Sequence, residues 1–169
     1  MTNLTEAVTQ IDRFAEIKIT EASMPGLAIA ITDRYKVLRV ATFGYSDLAS
    51  GTPIKTDSMF EIGSIGKSFT NIALMQLHDE GRLDLHSPVA RYLPWFEVQS
   101  DYGPITTHHL MSHTSGLVTG TDVAPPGYYE SWALRETKTG APPGEYFRYS
   151  NIGYKTLGLL LETIAGGPY

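Results

Sequence analysis

Apolar side chains recur with two different periods along the chain, and these periods separate predicted helices from predicted strands. Leu4 to about Thr20 has the three- and four-residue spacing of an amphipathic helix. Two strand-like runs follow, Leu27–Thr32 and Val37–Tyr45, and the polar residues between them predict a β-hairpin. Residues 46–58 are mostly polar and include Gly and Pro, so this segment is predicted to be a loop.

The pattern after the hairpin is mainly helical. Ile65–Gly81 has apolar residues at helical spacing and ends on a glycine, which is a common C-terminal stop. Shorter helices are predicted at His108–Ser112 and Tyr129–Glu136, a loop at Gly116–Gly127, and a longer helix at Asn151–Ile164. A lone hairpin is marginally stable in water, so the sheet that these helices would accompany looks incomplete.

Composition narrows the class of protein. The 169 residues are 42% apolar and 18% charged, which indicates one globular domain or part of one. A net charge of -5 without a basic run argues against nucleic-acid binding. The absence of cysteine excludes disulfides, thiolate catalysis and thiolate zinc sites. No apolar run is long enough to span a membrane, and no signal peptide is visible, so a cytoplasmic location is expected.

Ser64-Ile65-Gly66-Lys67 is the first candidate for chemistry. Ser64 stands where a loop becomes a helix, and Lys67 lies one turn further on, so the hydroxyl and the amine can share a face. Free N–H groups at a helix N-terminus can also hold a developing oxyanion. We expect Ser64 to be the first residue of a long buried helix, or the residue just before it. The alternative is a serine N-cap followed by a surface lysine.

Tyr149-Ser150-Asn151 is the second candidate. A phenol beside a lysine can relay protons, and an amide two residues further on can bond both the lysine and a substrate carbonyl. The alternative is an aromatic residue followed by an asparagine N-cap.

Three histidines raise the question of a metal site. His109 and His113 are four residues apart and can share a helical face, with His108 adjacent. No acidic residue stands at a supporting position, and a structural role in which His113 bonds nearby backbone is favoured instead. We therefore expect no metal ligands and no cofactor.

The two motifs together, in this order, resemble the serine β-lactamase and penicillin-binding protein superfamily, which carries a Ser-x-x-Lys box. The chain looks most like the branch that contains class C β-lactamases, D-alanyl-D-alanine carboxypeptidases, D-aminopeptidases and related esterases. The resemblance runs from about Met24 to the last residue and includes His108–Leu117 and Pro143–Asn151. It implies an α+β, β-lactamase-like fold, with a helical subdomain and part of an antiparallel sheet flanked by helices.

The resemblance also implies roles for four residues. Ser64 would be the acylated nucleophile and Lys67 its proton partner. Tyr149 would be the second acid/base, and Asn151 would bind substrate and lysine. The implied activity is that of a serine hydrolase acting through an acyl-enzyme on an amide, ester or β-lactam carbonyl. The main alternative is a non-catalytic half-domain that needs a complementing chain, and a metal hydrolase using the histidines is a third.

The superfamily has a third box, Lys-Thr-Gly or His-x-Gly, after the tyrosine box. Lys138-Thr139-Gly140 has the right letters, but it precedes Tyr149 and is followed by Ala-Pro-Pro-Gly where a strand should continue, so we reject it. Residues 1–169 are then expected to be the N-terminal portion of one catalytic domain, with the remaining strands beyond Tyr169. The expected partners are a substrate with a reactive carbonyl and either a complementing C-terminal segment or a second copy.

Overall fold

The computed structural model describes residues 4–120 and 127–169, which fall into two compact units divided after Glu61. The first unit contains one helix and a three-stranded antiparallel sheet of order β1-β2-β3. Its elements are α1 (Leu4–Glu21), β1 (Gly26–Thr32), β2 (Val37–Asp47) and β3 (Thr52–Pro53). The predicted first helix and the predicted hairpin are therefore confirmed, whereas β3 lies in a segment predicted to be a loop.

Asp33 closes the hairpin turn through its side chain and through a backbone hydrogen bond from its N–H to the Lys36 carbonyl at 3.0 Å. The Asp33 carboxylate accepts the N–H groups of Tyr35 and Lys36 at 2.7 and 2.8 Å, which closes the turn between β1 and β2. Where β1 begins, its partner in β2 is Gly44, which adopts a φ of +74°; a Cβ there would lie 2.4 Å from the carbonyl oxygen of Pro25. Particular residues thus define both ends of the β1–β2 pairing.

The second unit, from Ile62 onward, is helical among its described residues. Its α-helices are α2 (Gly66–Asp79), α3 (Thr107–Met111), α4 (Gly127–Ala133) and α5 (Asn151–Ala165), with 3₁₀ turns at Gly63–Ile65, Val89–Arg91 and Leu134–Glu136. The predicted helices are confirmed, while the middle of the predicted loop 116–127 lies outside the described residues. No helix in the described part of the chain is long and apolar enough to cross a membrane.

The core of the second unit is organised around α5. This helix contacts α2, α3 and α4, and its side chains Leu157 and Leu160 are fully buried. Leu74 of α2, Leu110 of α3 and Leu134 after α4 belong to the same cluster. Each such leucine contributes about 1.5–3 kcal/mol by burial, so packing fixes the position of the α5 N-terminus relative to α2.

The outer face of α2 corrects one expectation. The helix was predicted to be buried, but only one face is, through Thr70, Leu74 and Leu77. On the other side, Ile65 in the preceding 3₁₀ turn and Phe69 and Ile72 on the helix are 64%, 61% and 58% exposed. The sequence has apolar residues on both faces of this helix, and that pattern predicts a helix buried on all sides. Which face is actually covered depends on neighbours that the pattern does not show.

The short helix α3 begins with a reciprocal cap. The Thr106 hydroxyl accepts the N–H of His109 at 3.3 Å, and the His109 Nδ1 accepts the N–H of Thr106 at 3.2 Å. Burial, followed by the neighbouring His108 and His86, lowers the pKa of His109. Since the folded-state pKa lies below that of the unfolded chain, protonation favours unfolding. The cap therefore contributes fully above about pH 6.5 and is lost as the pH falls through the folded pKa.

Replacing His109 by glutamine should weaken this pH dependence while keeping the cap, because a glutamine carbonyl accepts the same N–H without titrating. His109→Ala should instead cost about 1 kcal/mol at pH 7.5 by removing the acceptor. Denaturant unfolding of both variants and the wild type between pH 5 and 8 measures both effects. An unchanged pH slope in His109→Gln would contradict the assignment.

Candidate active site

Ser64 lies in the 3₁₀ turn Gly63–Ile65, and Lys67 is the second residue of α2. The sequence predicted Ser64 as the first α-helical residue or the one just before it, which is wrong by one position because α2 begins at Gly66. The turn is tightened where the N–H of Ile65 bonds the carbonyl of Ile62 at 3.1 Å. This N–H is therefore not among the free donors that a helix N-terminus was expected to supply.

The Ser64 hydroxyl has two side-chain hydrogen-bond partners, Lys67 and Tyr149. The Lys67 Nζ donates to Ser64 Oγ at 2.9 Å, and the Tyr149 hydroxyl lies 2.5 Å from the same oxygen. The three-residue spacing thus brings serine and lysine together as predicted. The alternative, in which Ser64 is an N-cap beside a surface lysine, is wrong.

The second motif meets the first at the start of α5. Its middle residue, Ser150, caps the helix, because its buried Oγ accepts the N–H of Gly153 at 3.1 Å and donates to the carbonyl of Val118 at 2.7 Å. Asn151 is therefore the first residue of the helix and not the N-cap that the alternative reading required. Its Oδ1 accepts a hydrogen bond from the Lys67 Nζ at 2.8 Å.

Together the four predicted residues form one continuous hydrogen-bonded chain, Tyr149–Ser64–Lys67–Asn151. Tyr149 is 37% exposed, and Ser64 is exposed as well, so both hydroxyls are accessible. An open cavity of about 400 Å³ borders Lys67 and Asn151, with α2 on one side and α5 on the other. In this arrangement the lysine, in its unprotonated form, can accept the serine proton, and the phenol can donate its own proton.

Tyr154 belongs to the same cluster, although the sequence reasoning did not identify it. The Lys67 Nζ lies 4.9 Å from the centre of the Tyr149 ring and 5.4 Å from that of Tyr154. The Tyr154 hydroxyl lies 2.8 Å from the carbonyl oxygen of Met111 and 3.1 Å from the Asn71 Oδ1, either of which can accept its proton. Burial raises the pKa of Tyr154, which keeps this phenol a donor. Its position three residues after Asn151 was the available signal.

The histidines considered as metal ligands bond to backbone instead. The Nδ1 of His113 accepts the N–H of Ser150 at 3.0 Å, which is the structural role predicted for it. The Nδ1 of His109 serves the α3 cap. In residues 4–120 and 127–169, no group of three or more His, Asp and Glu side chains is arranged to hold a metal ion.

Lys138-Thr139-Gly140 makes contacts of a different kind. Lys138 forms an exposed ion pair with Asp101 at 2.5 Å, and its hydrogen bond to that carboxylate raises the pKa of Lys138. The Thr139 hydroxyl donates to Ser100 at 3.1 Å. Both side chains are engaged by the segment 99–101, which agrees with rejecting this tripeptide as the third box.

We expect Ser150→Ala to lower the free energy of unfolding by about 1–3 kcal/mol, because it removes the α5 cap and leaves the Val118 carbonyl without its donor. Thermal or urea unfolding of the variant measures the loss. The exposed substitution Ser46→Ala is the matched control and should stay within about 0.5 kcal/mol of the wild type. Equal stabilities for the two variants would show that the cap is dispensable.

Known proteins share both this fold and this sequence pattern. A family model described as Beta-lactamase matches residues 6–169. The chain is 30% identical over 169 residues to Protein flp of Staphylococcus aureus (strain N315), covering 95% of this chain and 34% of that protein. The octameric penicillin-binding protein homologue from Pyrococcus abyssi superposes with a TM-score of 0.83 at 31% identity, covering 96% of this chain and 40% of the other.

A second solved structure points the same way. EstCE1, described as a hydrolase with promiscuous acyltransferase activity, superposes with a TM-score of 0.83 at 25% identity, covering 95% of this chain and 48% of the other. The chain thus spans about a third of the length of its curated relatives and under half of these two structures. The β-lactamase-like α+β fold, with only part of its sheet, is confirmed. By sequence and by fold, the chain belongs to the beta-lactamase family.

Proposed function

We propose that the protein carries the acylation machinery of a serine hydrolase, in which Ser64 attacks the carbonyl of an amide, ester or β-lactam. The observation that carries this proposal is the position of Ser64 Oγ, 2.9 Å from the Lys67 Nζ and 2.5 Å from the Tyr149 hydroxyl. A serine is a weak nucleophile until a neighbouring group takes its proton. Family membership and the similarity to the hydrolase EstCE1 support the same reaction class.

The geometry suggests a definite route for the protons during acylation. This route requires the unprotonated form of Lys67 at the moment of attack: that amine donates one N–H to Asn151 and accepts the Ser64 proton while the Oγ–carbon bond forms. The Tyr149 hydroxyl then protonates the leaving nitrogen or oxygen as its bond to the carbonyl carbon breaks. This step leaves the acyl group on Ser64, an ammonium at Lys67 and a phenolate at Tyr149.

Hydrolysis of the acyl-enzyme reverses these transfers. Tyr149 takes a proton from water while the water oxygen bonds the acyl carbon, and Lys67 returns its proton to Ser64 Oγ as the acyl–oxygen bond breaks. Every group regains its starting state, and the net reaction adds one water to the substrate. Asn151 holds Lys67 in place and is positioned beside the cavity to bind a substrate carbonyl.

We further propose that residues 1–169 are the N-terminal portion of one catalytic domain, completed by a segment that supplies the remaining strands. The relatives are about three times as long as the aligned part of this chain, and the described sheet has three strands, one of them only two residues long. The exposed apolar residues Ile65, Phe69 and Ile72 give the completing segment a surface to cover.

A non-catalytic half-domain is the second candidate, and the exposure of Ser64 and Tyr149 favours it. An oxyanion is best stabilised where water is excluded, and one wall of such a site is not provided by the described residues. The two candidates differ in whether Ser64 is activated.

Covalent labelling of Ser64 distinguishes the two functions. Incubation with a fluorophosphonate or with penicillin, followed by intact and peptide mass spectrometry, should show one adduct on the peptide that contains Ser64. Ser64→Ala should give no adduct, while Ser46→Ala, an exposed serine in the sheet unit, should label like the wild type. Complete absence of an adduct with both probes would favour the half-domain without activity.

A further inference from the structure

His113 contacts the segment that carries Tyr149 on both sides of that residue. Its backbone carbonyl accepts the N–H of Arg148 at 2.7 Å, and its Nδ1 accepts the N–H of Ser150 at 3.0 Å. The imidazole also lies against the Tyr149 ring, with centroids 4.5 Å apart and planes inclined by 31°. His113 therefore accepts hydrogen bonds from the backbone N–H groups of Arg148 and Ser150, on either side of Tyr149, and also packs against the Tyr149 ring.

The conformation of His113 is unusual for a residue with a side chain. Its φ is +58°, in the left-handed region, and the residue is buried. Such a backbone costs on the order of 1–3 kcal/mol and persists where the surroundings enforce it, often at functional sites. Here the imidazole contacts two further rings besides Tyr149: the centroid of Tyr154 is 5.0 Å away, and that of Phe147 is 5.6 Å away with the planes inclined by 74°.

We propose that His113 is a positioning residue that holds the Tyr149 phenol against Ser64, and that it does so only as a neutral imidazole. The inference rests on the proposed function, because it assigns the task of placing the acid that protonates the leaving group. No contact between His113 and a substrate is needed. The placement matters because displacing a reacting group by about 1 Å can cost 100-fold in rate.

The His113 imidazole must be neutral because its Nδ1 accepts the hydrogen bond from the Ser150 N–H. A protonated Nδ1 carries a hydrogen and would meet the Ser150 N–H head-on, so the bond between them would be lost. Among the described residues, the titratable groups whose rings contact the imidazole are Tyr149 and, from α5, Tyr154, and Lys67 of α2 is near enough for its charge to act on the imidazole. Burial, followed by the charge of Lys67, lowers the pKa of His113, which favours the neutral ring at neutral pH.

Two substitutions of His113 show whether the hydrogen bond from the Ser150 N–H is what positions Tyr149. In His113→Asn, the Oδ1 can replace the Nδ1 as acceptor, asparagine tolerates the left-handed backbone, and the side chain does not titrate. In His113→Ala, both the acceptor and the ring contact are lost. We expect fluorophosphonate labelling of Ser64 at pH 7.5 to slow by about 10- to 100-fold in His113→Ala and to recover most of this loss in His113→Asn.

The pH profile provides a readout that a purely structural role would not move. Wild-type labelling should fall as the pH drops through the lowered pKa of His113, while His113→Asn should lack this acid limb. Circular dichroism at each pH confirms that the chain stays folded. Labelling of His113→Ala at the wild-type rate, or an acid limb unchanged in His113→Asn, would overturn the inference.

The positioning role of His113 can also be tested by NMR, without any reaction at Ser64. In the 169-residue chain labelled with ¹³C-tyrosine, the ring signal of Tyr149, assigned with Tyr149→Phe, should shift as His113 titrates and should stay constant with pH in His113→Asn. If the probe never reacts but this shift occurs, the proposed function fails and the positioning role stands. If Ser64 reacts but the Tyr149 signal ignores His113, the positioning role fails alone.

Discussion

Acylation of Ser64 should slow by about 10²–10⁴-fold in Lys67→Ala, because Lys67 accepts the Ser64 proton, and by a similar factor in Tyr149→Phe, because Tyr149 donates a proton to the leaving group. Both residues hydrogen-bond Ser64 Oγ and act in the same acylation step, so the double variant should be little slower than the slower single variant. Labelling rates with a fluorophosphonate, followed by mass spectrometry at several times, measure all three.

Matched controls come from the hairpin turn. Lys36→Ala and Tyr35→Phe make the same chemical changes at exposed positions outside the candidate site and should leave the labelling rate unchanged. A fully active Lys67→Ala variant would show that the lysine is not the proton partner. Strictly multiplicative losses in the double variant would show that Lys67 and Tyr149 contribute independently and not as a unit.

Expressed alone, residues 1–169 should self-associate and hydrolyse esters slowly, because an apolar stripe is exposed and part of the sheet is absent. The stripe consists of Ile65, Phe69 and Ile72, and burying one such side chain is worth about 1.5–3 kcal/mol. Phe69→Ser combined with Ile72→Ser should therefore raise the dissociation constant of the assembly by at least about tenfold. Analytical ultracentrifugation over a range of concentrations measures this change.

Leu48→Ser is the control for that experiment, since Leu48 is an exposed apolar residue outside the stripe. It should leave the assembly unchanged. A stable monomer with substantial Ser64-dependent ester turnover would contradict the incomplete-domain proposal. The tripeptide Lys138-Thr139-Gly140 would then have to be reconsidered as a working third box. The intact mass and reading frame of the native product would identify the completing segment directly.

The helices were predictable because their apolar period is local. The prediction for the last helix, Asn151–Ile164, differs by a single residue from α5, and the first helix was equally close. The spacing of Ser64 and Lys67 also predicted a contact that the structure contains, since residues three apart meet within one turn. For these features, the local sequence alone is sufficient to determine the structure.

Other features depend on partners that are distant in sequence. The strand β3 is two residues long, too short for an alternation of polar and apolar positions to be recognised. The 3₁₀ turn before α2 depends on Gly63 adopting a positive φ, which glycine permits but does not require. Tyr154 and His113 entered the site through packing against Lys67 and Tyr149, which no local pattern encodes.

The four residues of the candidate site come from two short segments that are far apart along the chain. Ser64 and Tyr149 are 85 positions apart, and Lys67 and Asn151 are 84 apart, so the packing of α2 against α5 is what brings them together. Closing a loop of that length costs entropy that only the folded core offsets. The reactivity of Ser64 therefore reports whether the helical unit is folded. During denaturation this reactivity should disappear together with the tertiary structure of the unit, even if individual helices persist.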